Sequence, residues 1–340
     1  MYILGIDTSC DDTSASVVAD GKRILSNVVL SQTAIHNTYG GIVPELASRR
    51  HIEMIWPVVN EALSASAISL DEVNAIAVCH GPGLIGSLIV GCSFAKAVGF
   101  AKKIPLIAVN HLEGHIFSAF LAEMKPEFPF LSMIVSGGHT SLLIVHEFGV
   151  YTELGRTRDD AAGEAYDKIA KLLNLGYPGG PVIDRLAGLG NPEAFRFPRA
   201  YLPHSFDFSF SGLKTAVRNT VVHFQKHNSS FSTFADHPSF LNDVAASFQA
   251  AVVDVLVRKA ESTMAEKGIR RIVLSGGVAA NSELRKRMMK MAQDRDVRLF
   301  LPSAMLCTDN AAMIAAAGYQ HVVCGDFASM DLNPKAYLAL

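Results

Sequence analysis

Ile3-Leu4-Gly5-Ile6-Asp7-Thr8-Ser9 opens this 340-residue chain, and Leu131-Ser132-Met133-Ile134-Val135-Ser136-Gly137-Gly138-His139 repeats its pattern near the midpoint. Each stretch is a short apolar run that ends in a small polar turn. After the first, Thr13 to Ala19 reads as a second strand and Gly21 as a turn. After the second, Thr140 to Val145 reads as a strand and Gly149 as a turn. Short apolar runs bounded by turn residues are strand signals. Two strand–turn–strand–turn–strand units separated by helical segments predict an α/β protein with a duplicated, two-lobed fold.

Helical periods fill the intervals. His51 to Leu63 places Ile52, Ile55, Trp56, Val59 and Leu63 on one stripe, with Pro57 inside it. Such a stripe packs within the chain or against a partner. Ser87 to Phe100, Asp160 to Leu173, Ser247 to Lys267, Asn281 to Met291 and the Ala-rich Asn310 to Gly318 also read as helices. Ala75 to Val78, Ile104 to Val109 and Arg271 to Leu274 read as further strands. Tyr177-Pro178-Gly179-Gly180-Pro181 is expected to be a rigid loop, and His223 to Pro238 a polar surface excursion. The expected division is a first lobe over 1–127, with a helix at about 309–325 packing back on it. A second lobe over 128–308 and a tail over 326–340 complete it.

Composition narrows the function. Apolar residues are 49% and charged residues 18%, so much of the chain is buried or covered by partners. A net charge of −2 gives no global positive field. A nucleic-acid substrate would therefore need a local basic patch. Arg49-Arg50, Lys102-Lys103 and Arg285-Lys286-Arg287 are the candidates; the alternative is solvated helix faces. The five cysteines form no C-x-x-C pair, which fits a reducing compartment. No basic n-region precedes the first strand. The longest apolar stretch, Leu84 to Ala95, reads as too short and too glycine-broken to span a bilayer. Together these features predict a cytoplasmic protein with no membrane contact.

Two histidines one helical turn apart, His111 and His115, can share a metal. Chance alone gives about 0.4 such pairs in a chain with this histidine content, and His223 and His227 have the same spacing. Context separates the pairs. His111 follows a strand directly, where ligands collect in α/β proteins, whereas His223 and His227 border the polar Asn228-Ser229-Ser230. Glu113 stands in the third position of the motif, not the second, so H-E-x-x-H metalloprotease chemistry does not fit. Asp309, in Cys307-Thr308-Asp309-Asn310, offers a third ligand or, alternatively, a simple helix N-cap. Two histidines and one carboxylate would suit Fe(II) or Zn(II), and spacing cannot choose between them.

Three turns follow three apolar strands: Asp7-Thr8-Ser9, Ser136-Gly137-Gly138 and Ser275-Gly276-Gly277. Together they suggest a two-lobed cradle for phosphate and nucleoside, because glycine lets backbone N–H groups approach an anion. Asp160, Glu164 and Asp167 share one helix face, and Asp184 follows the Pro-Gly-Gly loop. Such carboxylates could accept ribose hydroxyls or merely compensate a helix dipole. His139 is a substrate-site candidate toward donor or metal. Asp11, just past the first turn, is a candidate base, directly or through water.

Together these motifs resemble the TsaD family, the tRNA N6-adenosine threonylcarbamoyltransferases of the actin, sugar-kinase and Hsp70 superfamily. The resemblance runs from Gly5 to about Asn310. It rests on Gly5-Ile6-Asp7-Thr8-Ser9-Cys10-Asp11, Gly41 to Arg49, Gly81-Pro82-Gly83-Leu84, His111 to His115, Val135 to Thr140, Asp160 to Glu164, Tyr177 to Pro181, Phe208 to Thr215, Ser275 to Asn281 and Cys307 to Asn310. Asp12 stands where many relatives carry Glu. The resemblance implies an actin-like fold in which each lobe holds a mixed five-stranded sheet. It implies one divalent metal on His111, His115 and Asp309, with Fe(II) favoured and Zn(II) the alternative. It implies that Ile134, Val135, Ser136, Gly137 and Gly138, with Asp167, Gly180, Asp184 and Asn281, hold the nucleotide part of threonylcarbamoyl-AMP. The implied acceptor is N6 of the adenosine beside the anticodon in tRNAs reading codons that begin with A. The implied partners are a paralogue, TsaB, and an ATPase, TsaE.

Three rival readings make separate demands. An ATP-dependent phosphotransferase of the same fold needs no His-His-Asp site. A metalloprotease needs the missing H-E-x-x-H. A non-catalytic scaffold would not keep all three candidate ligands.

Overall fold

Ile3 and Gly5 face one way from the first strand, Tyr2–Asp7 (β1), and Leu4 and Ile6 the other. Both faces are covered, which explains why β1 is buried from Ile3 onward. The computed structural model describes residues 1–228 and 232–340. It divides into two units: residues 1–126 with 302–340, and residues 127–301.

In the first unit β1 pairs antiparallel with Asp12–Ala19 (β2), which pairs antiparallel with Arg23–Ser31 (β3). After Thr33–Asn37 (α1) and Pro44–Ser66 (α2), Ala75–Gly81 (β4) lies parallel to β1. Ile85–Lys102 (α3) then crosses to Leu106–Asn110 (β5), parallel to β4. The order is β3-β2-β1-β4-β5. Leu4, Ile6, Ala15 and Val17 pack with Ile55, Val58 and Val59 of α2 and Cys92 and Ala95 of α3. His111–Phe117 (α4) follows β5 directly.

Near its C-terminus the chain returns through Ala304–Cys307 (α10) and Ala311–Cys324 (α11), which lies on the opposite face of this sheet. Gly5 permits that approach: a Cβ there would sit 2.2 Å from the Ala311 carbonyl oxygen.

The second unit repeats the plan. Phe130–Val135 (β6), Thr140–Glu147 (β7) and Val150–Arg156 (β8) form an antiparallel meander. Ala162–Leu172 (α5), Gly179–Ala187 (α6), Ser211–His227 (α7) and Pro238–Lys267 (α8) lead to Arg271–Ser275 (β9), parallel to β6. Ser282–Asp294 (α9) and Arg298–Phe300 (β10) complete it. The order β10-β9-β6-β7-β8 is that of the first sheet, so the hairpin repeat seen in the sequence is a duplicated actin-type topology.

Several expectations change. The His51 to Leu63 stripe splits: Ile55 and Val59 are core, whereas Ile52 and Trp56 are exposed. The helix begins at Pro44, so its inward face is set over a longer span than the stripe implied. Ile55 and Val59 are therefore unavailable to a partner. Tyr177–Pro181 is a loop only to Pro178, because Gly179 begins α6. The return to the first unit falls at Pro302, not near 309. Residues 326–340 are no loose tail: Ala328 N–H donates to Leu106, Lys335 N–H to His80, and Gly83 N–H to Ala336. At Ala328 the segment bridges to Leu106 on the free edge of β5, where unpaired backbone groups need partners.

Of the anticipated excursion, His223 to His227 is the end of α7 and Pro238 the start of α8; residues 229–231 lie outside the described residues. α3 continues through Lys96 to Lys102. By length and composition it and α8 could cross a bilayer, but α3 packs on β4 and α2, and α8 is mostly buried against α6 and α9.

Candidate functional site

Asn110 ends β5 and caps α4 at once, its side-chain oxygen accepting the Leu112 N–H at 2.9 Å. That junction makes His111 the first helical residue and sets His115 one turn later on the same face. All seven residues of α4 are buried. The two rings meet edge-on, 4.7 Å between centroids. Their Nε2 atoms lie 3.4 and 3.3 Å from one oxygen, Oδ1 of Asp309. Asp309 is not the N-cap of α11. Asn310 takes that role by accepting the Met313 N–H at 3.1 Å, which leaves the Asp309 carboxylate to the histidines.

His115 has no exposed surface, and neither ring nitrogen makes a hydrogen bond. A buried polar group left unpaired costs about 1–3 kcal/mol. The donor atoms of His111, His115 and Asp309 all lie within 4.8 Å of one another. Ligands about 2.1 Å from a tetrahedral ion stand about 3.4 Å apart, so the three residues fit a divalent metal.

Burial opposes the charge on His111, but Asp309 and then Asp7 outweigh it and hold this imidazole well above the usual histidine range. At His115 burial wins and pushes the ring down. Burial also works against the Asp309 charge, yet the two rings hold that carboxyl well below its usual range. The result is an ionised carboxylate between a protonated His111 and a neutral His115, so a metal would bind by displacing the His111 proton.

Sequence reasoning missed the groups around these three. Asp7 Oδ1 accepts the Ser9 N–H at 2.9 Å, and Asp7 Oδ2 lies 3.4 Å from His111 Nδ1. Cys79 is clustered with them, its thiol raised by burial to about 12. Glu113 turns away from the centre: its Oε2 is 2.7 Å from His321 Nε2, and His321 Nδ1 is 2.7 Å from Asp326. The odd placement of Glu113 in the motif was the available signal.

Asp11 is half-buried, with its pKa raised first by burial. The neighbouring Asp12 is pushed to about 7 by the same cause. The first turn does not form the anticipated anion loop. Asp7, Thr8 and Ser9 are buried under α3, the Thr8 hydroxyl donates to Ser87 at 2.8 Å, and the segment has no glycine.

In the second unit the anticipated nucleotide residues gather around α5. Ile134, Val135 and Ser136 are buried at the end of β6. Ser136 N–H donates to His139 O at 2.7 Å, and His139 N–H donates to Ser136 Oγ at 3.1 Å. This closed turn presents Gly137 and Gly138 to solvent, where a Cβ would meet nothing within 4 Å. Gly276, at φ +91°, brings the third turn against Val135. Asp167 accepts the Gly179 N–H at 2.7 Å, which docks the start of α6, and with it the open Gly180, on α5.

Asp184 accepts from Gln249, Asn281 and the Ser282 side chain and backbone at 2.8–3.1 Å. Asn281 caps α9 through Leu284 N–H and also donates to Gln249. Asp184 is thus chiefly a brace between α6 and α9. The supposed acidic face of α5 also dissolves: Asp160 precedes the helix, and Lys168 pairs with it and Glu164 at 2.5 and 2.8 Å.

The basic patches are paired surfaces. Arg49, Arg50, Lys102, Lys286 and Arg287 each meet a carboxylate.

The sequence model of tRNA N6-adenosine threonylcarbamoyltransferase (TsaD) matches residues 23–316. The protein of that name from Thermodesulfovibrio yellowstonii is 55% identical over 340 residues, all of both chains. Two solved structures share the fold at low identity. The T. kodakarensis HypF structure has a TM-score of 0.62 at 14% identity, over 95% of this chain and 48% of that one. The activator of the 2-hydroxyisocaproyl-CoA dehydratase from Clostridium difficile has a TM-score of 0.53 at 12% identity, over 96% and 97%. Full-length identity above half, together with the sheet order and the converging His-His-Asp cluster, leads to one conclusion: the chain belongs to the TsaD family of tRNA N6-adenosine threonylcarbamoyltransferases.

Proposed function

We propose that the chain transfers the threonylcarbamoyl group of threonylcarbamoyl-AMP to N6 of the adenosine adjacent to the anticodon, in tRNAs that read codons beginning with A. The observation that carries the reading is the convergence of the His111 and His115 Nε2 atoms on one Asp309 oxygen, in a chain of this family. A bound divalent ion, Fe(II) in preference to Zn(II), would supply charge to polarise and orient the donor carbonyl.

The remaining work falls to the protein. The exposed Gly137-Gly138 turn would receive the phosphate side of the donor, where backbone N–H groups stabilise the charge of departing AMP. Gly180, Asp167 and His139 would bound the nucleoside, with Asp184 and Asn281 holding the α6–α9 frame. N6 attacks the carbamoyl carbon, the bond from that carbon to the phosphate oxygen breaks, and one N6 proton leaves. Asp11, whose pKa burial raises, would take that proton directly or through water. An exocyclic amine is a weak nucleophile, so orientation would supply a large part of the rate.

The exposed Ile52, Trp56, Ile85 and Ile89 of α2 and α3, with Trp56 against Phe94, form an apolar face suited to a paralogous partner such as TsaB. TsaE would be a further partner, and the cytoplasm the site of action. The test is reconstitution with threonylcarbamoyl-AMP, tRNA and candidate partners, comparing wild type with His111→Ala. Modification by wild type and not by the variant is expected; equal modification would overturn the metal role.

A further inference from the structure

The carboxylate of Asp7 touches both the first turn and the candidate metal cluster. Its Oδ1 accepts the Ser9 N–H at 2.9 Å, which fixes the plane of the carboxylate. Its Oδ2 then faces His111 Nδ1 at 3.4 Å. Asp7 is 1% exposed, its Oδ2 and His111 Nδ1 are both buried with no hydrogen bond formed, and the Cys79 thiol neighbours the same ring. On the other side of the same ring, Nε2 faces Asp309 and the His115 ring. β1 and β4 run parallel and adjacent, so Asp7 and Cys79 reach this ring from the ends of neighbouring strands.

From this geometry we infer that Asp7 is a positioning residue for His111: it accepts the Nδ1–H, and so keeps the Nε2 lone pair pointed at the ion shared with His115 and Asp309. The physical reason is that a neutral imidazole has one N–H and one lone pair, so an acceptor at Nδ1 leaves Nε2 as the ligand atom. Such outer carboxylates orient metal-bound histidines, and their loss costs about 10- to 100-fold in affinity. Because Oδ1 of the same group holds Ser9, ring orientation and turn conformation are fixed together. The Cys79 sulfur completes this corner, within 4.8 Å of the facing atoms of Asp7 and His111.

The inference rests on the metal reading proposed above, and the experiment separates the two. Co2+ is titrated into wild type, Asp7→Asn, Asp7→Glu, Cys79→Ser and His111→Ala, and bound metal is read from its visible absorption. Wild type is expected to bind one ion, and His111→Ala essentially none. Asp7→Asn should bind about 10- to 100-fold more weakly with an altered band, Asp7→Glu should recover part of the loss, and Cys79→Ser should stay near wild type. No His111-dependent uptake by wild type would overturn the metal site and the inference with it. Normal wild-type uptake with an unchanged Asp7→Asn titration would overturn the Asp7 role alone. Two ions per wild-type chain, one of them lost in both Asp7→Asn and Cys79→Ser, would also overturn it by making Asp7 a ligand.

If Asp7→Asn does not fold, 15N shifts of the His111 ring in Zn2+-loaded wild type decide the matter. Metal on Nε2 with a protonated Nδ1 is expected; metal on Nδ1 overturns the inference.

Discussion

Two histidine pairs with identical spacing have opposite surroundings. His111 and His115 occupy a buried seven-residue helix pinned between a strand end and α11, and both face Asp309. His223 and His227 lie on the exposed last turns of α7, with ring centroids 4.1 Å apart. His227 Nδ1–H is already given to the His223 carbonyl at 2.8 Å. Among the described residues no Asp, Glu or Cys completes a ligand set around that second pair. Spacing supplies two aligned donors. A site also needs a third donor and exclusion of water, and among the described residues the second pair has neither.

The sharpest way to break the comparison is to delete each pair. His111→Ala, His115→Ala or Asp309→Asn should lower tRNA modification and Co2+ uptake by more than the roughly 100-fold upper range of outer-shell losses. His223→Ala and His227→Ala should leave both within error, and stability within about 0.5 kcal/mol, as surface changes do. Loss of metal in the His223 variant would erase the distinction.

Ligand linkage gives the next effect. Zn2+ at 100 times its Kd should stabilise wild type by about 2.7 kcal/mol, read as a rise in Tm. That rise should vanish in His115→Ala and persist in His227→Ala.

A third test concerns the support beneath α4, which α7 lacks. Burial opposes the charge on His321, but Glu113, and then Asp326, outweigh it and raise its pKa. The stability this contributes is complete below the unfolded value of about 6.5 and is lost as pH rises through the higher folded value. Urea midpoints of wild type should decline over that window, and His321→Gln should flatten the decline. An unchanged pH profile in the variant would remove His321 from the support.

The smallest effect is at the cap. Asn110→Ala should cost about 1 kcal/mol, whereas Asn228→Ala, on the exposed end of α7, should cost less. Equal losses would mean that the strand–helix junction contributes nothing special.

Much of the fold was legible because β1, β2, β6 and β7 combine apolar runs with turn residues that few other structures accept. The midsection of the second unit was not. α7 buries only Leu213, Val217 and Val221 among 17 residues, so its period is faint. α6 hides behind a Pro-Gly-Gly start that reads as loop. The candidate site was half legible. Helical geometry alone makes His111 and His115 neighbours, and the choice of Asp309 followed from family resemblance. Asp7 gave no sign, because its position beside His111 depends on three strands lying side by side.

The sequence by itself determined the duplicated strand pattern, the helix that follows β5 and the donors it carries, because each depends on contacts within a few residues. Only the tertiary structure decided which histidine pair meets a third donor, that Asp309 faces those rings while Asn310 caps α11, and that Asp7 lies against His111 and Glu113 against His321. The reason is physical. A metal centre is made of atoms within about 5 Å of one another, yet the chain separates His111 from Asp309 by 198 residues, and Asp7, which faces His111, from Asp309 by 302. Only the packing of α11 against β1 brings the two ends together.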